Sequence, residues 1–285
     1  MVKHYKKIFI FTLLLSLFFF TVSCNVDLLG LIVSSDIEER FAEKDNLAFL
    51  NTRSWNTLSF DNEENYSFIV LADTHIEDGK TWGFEDLEDV ISANNSAAGN
   101  IKIEFMIVLG DITQYGSALD IDKFIEIADS FSVPCYPVIG NHDIYFFNWP
   151  VWKEKIGSTI YRIDSAKTSL YILDSANSFF GKKQLDWLER DIKNSKERVF
   201  VFTHSPLFVE GPADMQQITD IKERSRIVSI LQNKCDIMFM GHSHKQYYNK
   251  AGGVEYIAVE DFVGKKAYCI VTVKPTGITY EFKNL

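Results

Sequence analysis

A mixed α/β fold, in which buried strands alternate with helices and the chain finishes on strands alone, is what the residue pattern predicts. Three observations carry it. Short apolar runs rich in Ile, Val and Phe recur at 67–72, 105–109, 135–139, 170–173, 198–203 and 236–240. Between several of them, at 118–130, 183–194 and 220–232, apolar residues return at three- and four-residue steps. Towards the C-terminus the runs become short and are parted by Gly, Lys and Pro, at 253–259, 267–273 and 278–282.

Each reading has a physical reason. A brief, unbroken apolar run suits a strand covered on both faces, because side chains pointing either way meet apolar neighbours. Recurrence at three and four places the apolar side chains on one face of a helix. A chain of 285 residues with 46% apolar composition can bury one large core, in one domain or two, and it contains no internal repeat.

Ahead of this core the chain is organised differently. Residues 1–23 have a basic start with Lys3, Lys6 and Lys7, an apolar run at 8–20, and small or polar residues leading to Cys24, which reads as an export signal. That run is shorter than the roughly 18 apolar residues of a membrane-spanning helix, although an uncleaved anchor stays open. Thr21-Val22-Ser23-Cys24 resembles a bacterial lipoprotein cleavage box, with Thr where Leu is usual; the resemblance implies a lipidated Cys24 and attachment to a membrane. Residues 24–60 read as a tether followed by a helix, for which Ser35 and Glu38 offer a capping box and Ile37 and Phe41 an apolar side. The main domain is expected over 61–285.

The formal charge is −10, and it becomes −13 if residues 1–23, which hold three lysines and no acid, are removed. Non-specific nucleic-acid affinity comes mainly from basic residues meeting phosphates, so this acidic chain is a poor candidate for a sequence-tolerant DNA or RNA binder. A small phosphate ester remains acceptable where metal charge is concentrated. Cys135, Cys235 and Cys269 each sit at or inside an apolar run, which predicts buried thiols with at most one disulfide.

Polar residues able to bind metal stand where the apolar runs end: Asp73 and His75, Asp111, Asn141 with His142 and Asp143, His204, and His242 with His244. Ligand sites in α/β sheets gather beyond the carboxyl ends of strands, so these junctions can point at one locus. Gly110, Gly140 and Gly241 let the backbone turn there. Five of the six histidines fall in these junctions, and the sixth, His4, lies in the export segment. Singly, each has a plainer reading, a hydrogen-bonded core histidine or an Asp helix cap. Together they point to a metal site.

Asp73-x-His75, Gly110-Asp111, Gly140-Asn141-His142-Asp143, His204 and Gly241-His242-x-His244 resemble, in order, the five blocks of the calcineurin-like metallophosphoesterase superfamily. The resemblance implies a four-layer αββα sandwich of two mixed sheets with flanking helices and a two-metal site at one edge. Asp73, His75 and His244 would hold one ion, Asn141, His204 and His242 the other, and Asp111 would bridge them, a carboxylate having two oxygens to share. Nitrogen and oxygen donors without thiolate suit Mn, Fe or Zn. Paired cations would activate water for hydrolysis of a phosphomonoester or phosphodiester, with no nucleophilic side chain. The resemblance makes His142 a transition-state stabiliser or general acid, oriented by Asp143.

The purple acid phosphatase branch carries a metal-binding Tyr where this chain has Gln114, so Tyr115 is read as a loop or core aromatic. The aromatic stretch at 144–152 either walls the substrate cleft or packs on the core, and 208–212 is a second candidate rim or an ordinary turn. Lys265 and Lys266 read as a solvated turn. A competing function is a surface lipoprotein that keeps the domain for binding, its metals structural; an intact His142 argues against it.

Overall fold

The computed structural model describes residues 35–208 and 217–285; the export segment, Cys24 and residues 209–212 of the second candidate rim lie outside them. The buried runs become two sheets. In the first, β1 (Tyr66–Leu71), β2 (Ile103–Leu109) and β3 (Cys135–Val138) are parallel neighbours, and β10 (Ala267–Lys274) and β11 (Gly277–Asn284) add antiparallel strands in the order β11-β10-β1-β2-β3. The second comprises β4 (Tyr161–Asp164), β5 (Thr168–Ile172), β6 (Arg198–Phe202), β7 (Ile237–Met240), β8 (Tyr247–Ala251) and β9 (Val254–Ala258), ordered β4-β5-β6-β7-β9-β8. Within it β5, β6, β7 and β9 run parallel.

The inner faces of the sheets interlock through aromatics. Phe68 of β1 meets Phe200 and Phe202 of β6 and Phe239 of β7 edge to face, at ring separations of 5.0, 6.2 and 6.2 Å. Full burial of such a side chain stabilises the fold by about 1.5–3 kcal/mol. The outer faces take helices. Leu87 and Ile91 of α3 (Leu87–Ser96) and Ile121, Phe124 and Ile127 of α4 (Ala118–Ser130) join the core on the first sheet's side. Leu185 and Leu188 of α6 (Lys182–Asp191) and Ile227 and Leu231 of α7 (Ile221–Leu231) form a second cluster with Tyr171, Val201 and Met238. The result is a mixed α/β fold of two mixed sheets with flanking helices.

The segment before β1 is built into this body. Its helices are α1 (Ile37–Phe41) and α2 (Ala48–Thr52), and Phe49 and Leu50 enter the core. The cap of α1 is Asp36, whose side chain accepts from the Glu38 N–H, in place of the expected Ser35. Ser35 is taken by Arg40 Nη1 at 2.8 Å and Glu38 by Lys183, because the buried Arg40 draws this turn onto Asp174. Arg40 Nε and Nη2 donate to both oxygens of Asp174 at 2.7 and 2.9 Å. Leaving either charge alone in that interior would cost about 3–5 kcal/mol.

The stretch 144–152 divides between its two readings. Ile144, Tyr145, Trp149 and Trp152 are buried, the last two in α5 (Trp149–Lys155), while Phe146 and Phe147 face solvent. Lys265 ends the short helix α8 (Phe262–Lys265), and Lys266 caps it in the left-handed region at φ +56°. The three described cysteines are buried free thiols. Among the described residues no helix is long and apolar enough to cross a membrane.

Candidate metal centre

Parallel strands deliver their carboxyl ends side by side. Asp73 and His75 follow β1, Asp111 follows β2, Asn141 and His142 follow β3, His204 follows β6, and His242 and His244 follow β7. Backbone bonds stitch these ends together beyond the regular ladders: Asp73 N–H to Gly110 O at 3.1 Å, His75 N–H to Asp111 O at 2.9 Å, and Gly241 N–H to His204 O at 2.9 Å.

The fold accepts strain to do this. Asp73, His75, Asp111, His242 and His244 all lie at positive φ, between +44° and +68°. Such conformations cost on the order of 1 kcal/mol or more each and persist only where the surroundings impose them. Glycine makes the approach possible at two places. A Cβ on Gly110, at φ +86°, would lie 2.6 Å from His204 Nδ1, and one on Gly140 would lie 2.1 Å from the Asp111 nitrogen.

All seven side chains singled out as metal donors are brought to one locus. Asp73, His75 and His244 place donor atoms within 4.8 Å of one another, and so do Asp111, His204 and His242. Asn141 joins the latter, its Oδ1 being 3.1 Å from His204 Nε2. Asp111 stands between the groups, with Oδ2 at 3.2 Å from His204 Nε2 and 4.0 Å from His75 Nε2. Asp111 Oδ2 is the oxygen that faces both groups, while Oδ1 accepts the His142 N–H at 2.9 Å.

The donor chemistry fits cations. His204 Nδ1 points at the Leu109 carbonyl at 2.7 Å, so Nδ1 carries a proton and, when the ring is neutral, the lone pair of Nε2 turns inward. That lone pair meets Asn141 Oδ1, Asp111 Oδ2 and His242 Nδ1, the last at 2.9 Å. Four electron-rich atoms repel unless positive charge lies among them. In the other group, Asp73 Oδ1 is met only by His244 Nε2 at 3.5 Å, and both ring nitrogens of His75 are buried with no hydrogen-bond partner, an arrangement that costs free energy unless something else binds them.

In the metal-free protein, protons supply part of that charge. Burial opposes charge on His204, yet the Asp111 carboxylate prevails and raises its pKa to about 9. Burial likewise opposes charge on His244, but its bond to Asp73 raises it to about 9. Burial, with the His204 charge beside it, pushes His242 down to about 3. Asp111 is held well below the usual carboxylate range: burial works against its charge, and His204 and His142 outweigh that.

His142 lies at the rim of the same locus. Its Nδ1 is 2.8 Å from the Gln114 carbonyl, its Nε2 is 3.9 Å from Asp111 Oδ2, and its ring meets His75 edge-on at 4.7 Å. His142, His75 and Asp111 also form a cluster of metal-binding type. Asp143 does not orient this ring as expected. It is fully buried and accepts from the backbone N–H groups of Ile112, Thr113 and Gly140 and from the Thr113 hydroxyl. Asp143 therefore clamps the turn after β2 to the turn after β3, and the Gln114 carbonyl orients His142. Burial and the neighbouring Asp111 charge raise Asp143 to about 7.

Sequence reasoning missed three supports. The Leu109 and Gln114 carbonyls fix His204 and His142, and backbone groups leave no side-chain signal. Tyr145 Oη accepts from Asn141 Nδ2 at 2.7 Å, turning Oδ1 of that amide towards His204, while its ring lies 4.4 Å from His142. The sequence places Tyr145 only within a stretch that either walls the cleft or packs on the core, although four residues separate it from Asn141, the spacing of one helical turn. Phe208 packs against Tyr256 at 5.1 Å.

The profile of the family described as Calcineurin-like phosphoesterase matches residues 66–246, which include all nine site residues. A Fibrobacter succinogenes protein named "Probable cyclic nucleotide phosphodiesterase" is 29% identical over 187 residues, covering 62% of this chain and 72% of its own. The 3',5'-cyclic adenosine monophosphate phosphodiesterase CpdA of Pseudomonas aeruginosa is 24% identical over 209 residues, covering 67% and 74%. Among solved structures, a dimetal phosphatase from Danio rerio shares the fold with a TM-score of 0.61 at 16% identity, over 78% of this chain and 97% of that one. With a matching profile, matching fold and clustered metal-binding side chains, the chain belongs to the calcineurin-like phosphoesterase family and is a metallophosphoesterase.

Proposed function

We propose that the protein hydrolyses phosphodiesters with two transition-metal ions, Mn, Fe or Zn, of which Asp73, His75 and His244 would hold one and Asn141, His204 and His242 the other, with Asp111 shared. The observation that carries this reading is the convergence of Asn141 Oδ1, Asp111 Oδ2, His242 Nδ1 and His204 Nε2, together with the unpartnered His75 nitrogens. Ions bound there supply Lewis acidity to a phosphoryl oxygen and lower the pKa of water. The diester preference rests on the names of the bacterial relatives.

The chain's own groups divide the remaining work. Leu109 and Tyr145 fix the orientations of His204 and Asn141, so donor atoms are preorganised. The Gln114 carbonyl holds the Nδ1 proton of His142 and leaves Nε2 facing the site, where a second proton on it can pass to the leaving oxygen. Neighbouring hydroxyls are committed elsewhere: Thr74 donates to Ile112 O at 2.8 Å and Ser205 to Ser175 O at 2.9 Å. The reading thus assigns no side chain as nucleophile.

The test is hydrolysis of aryl phosphomonoesters, aryl phosphodiesters and 3',5'-cyclic nucleotides, with and without added Mn, by the wild type, Asn141→Ala and His142→Ala. Metal-dependent diester cleavage, abolished in the first variant and slowed in the second, is expected. Equal and negligible activity in all three would favour a surface binding protein with structural metals.

We further propose that the protein acts outside the cytoplasm, exported by residues 1–23 and anchored through a lipidated Cys24; the residue pattern of that segment supports this. Mass spectrometry of the mature N-terminus should find a lipid-modified Cys24. An unmodified start elsewhere would end the anchoring proposal.

A further inference from the structure

Most aromatic side chains of the described residues are buried in the two clusters, which makes the exposed ones informative. Tyr115 and Phe146 are 40% and 51% exposed, and a chain of ring contacts joins them to the metal centre. His142 packs on Tyr145 at 4.4 Å, Tyr145 on Phe146 at 6.2 Å, and Phe146 on Tyr115 at 5.8 Å. The pair thus lies on the His142 side of the site, where the leaving oxygen receives its proton in the proposed reaction.

The backbone is arranged to present these rings. Tyr145 leaves the helical region at ψ 156°, and Phe146 and Phe147 follow in the left-handed region at φ +53° and +62°. Bulky aromatic residues rarely occupy that region, and strain of this kind persists where the surroundings over-determine it. Asn148 Nδ2 donates to the Tyr115 carbonyl at 2.8 Å, tying the two loops together. The Gln114 carbonyl that holds His142 belongs to the adjoining residue, so one loop sets both the acid and the aromatic surface. Exposing large apolar rings forgoes burial, and the fold's own packing gains little from the exposed faces.

We propose that Tyr115 and Phe146 form a stacking platform for a planar aromatic part of the substrate, a nucleobase, which makes the enzyme selective for nucleotide esters. This rests on the phosphoesterase reading above. The rings are tilted by 57°, so a base can lie face-on to one and present its edge to the other, both favoured geometries for aromatic pairs. Neither ring reads hydrogen bonds on the base edge, so every base offers an acceptable face and discrimination among bases is weak.

The test is calorimetric binding of adenosine 5'-monophosphate and ribose 5-phosphate to the Mn-loaded full chain, in wild type, Tyr115→Ala, Phe146→Ala and the double variant. Metal content and melting temperature are measured alongside. Wild type should bind the nucleotide about tenfold or more tighter than the sugar phosphate, the scale of one stacked base. The double variant should lose that advantage, the drop falling on the nucleotide alone. The platform is overturned if wild type does not distinguish the ligands, if the advantage survives in the double variant, or if both ligands weaken equally. If wild type binds neither ligand, the phosphoesterase reading itself fails and the platform falls with it.

Discussion

The two halves of the metal centre are built on different principles. In the half formed by Asn141, His204 and His242, orientation is set before any ion arrives: the Leu109 carbonyl fixes the His204 tautomer, Tyr145 fixes the Asn141 amide, and His204 is fully buried. In the half formed by Asp73, His75 and His244, both His75 nitrogens lack hydrogen-bond partners, and the Asp73 carboxylate Oδ1 is met by His244 Nε2 only at 3.5 Å, from a side chain that is 44% exposed. A preorganised set gives up little freedom on binding, whereas an unsupported set must be ordered by the ion itself. The buried half should therefore fill first and empty last.

Four measurements would break or sharpen that contrast. The largest effect belongs to Asp111→Asn, which removes the charge both halves share. Loss of kcat/KM should exceed the roughly 100-fold upper range of outer-shell partners, with both ions depleted. A variant that keeps two ions and its activity would end the idea of a shared ligand. Next, His142→Ala should slow turnover by roughly 10²–10⁴-fold, the range of general acid–base catalysis, with metal content intact. A variant that sheds metal instead would make His142 a ligand, as its cluster with His75 and Asp111 allows.

Smaller effects probe the supports. Tyr145→Phe keeps the ring against His142 and deletes the hydroxyl that accepts from Asn141 Nδ2. Affinity of the buried half should fall about 10–100-fold, with the exposed half unaffected. Equal losses in both halves would remove the distinction. Finally, His204 and His244 have pKa values raised to about 9 in the metal-free protein, so loading at neutral pH must expel their protons. Metal affinity should rise with pH from the ordinary histidine range up to about 9, and calorimetry in buffers of different ionisation enthalpy should register proton release. Affinity independent of pH across that window would contradict the protonated resting state. The same shifts give the metal-free fold a contribution that is full below the ordinary histidine pKa and lost as pH rises through about 9.

What could be read from the sequence was whatever depends on local pattern. Strand ends, the glycines at 110 and 140 and the donor residues at the turns are all local, and helix α4 was delimited at 118–130 as observed. What escaped depends on partners remote in the chain. Arg40 meets Asp174 across 134 residues, which is why Asp36 rather than Ser35 caps α1. Asp143 serves backbone N–H groups of another loop 30 and 31 residues away, so adjacency to His142 misled. The stretch 144–152 could not be divided because periodicity is silent where the chain leaves helical geometry at Tyr145 and turns Phe146 outward. β4 and β8 were missed for a related reason: each is a sheet edge with half-buried, polar-interrupted residues that show no continuous apolar run.

The most direct test of this account is a count of ions per chain. Elemental analysis of protein equilibrated with Mn, Fe or Zn should find two per chain in wild type and one in Asn141→Ala, and stepwise chelation of wild type should release one ion well before the other. A wild type that binds no transition metal stoichiometrically, or an Asn141→Ala variant that still holds two ions, would contradict it.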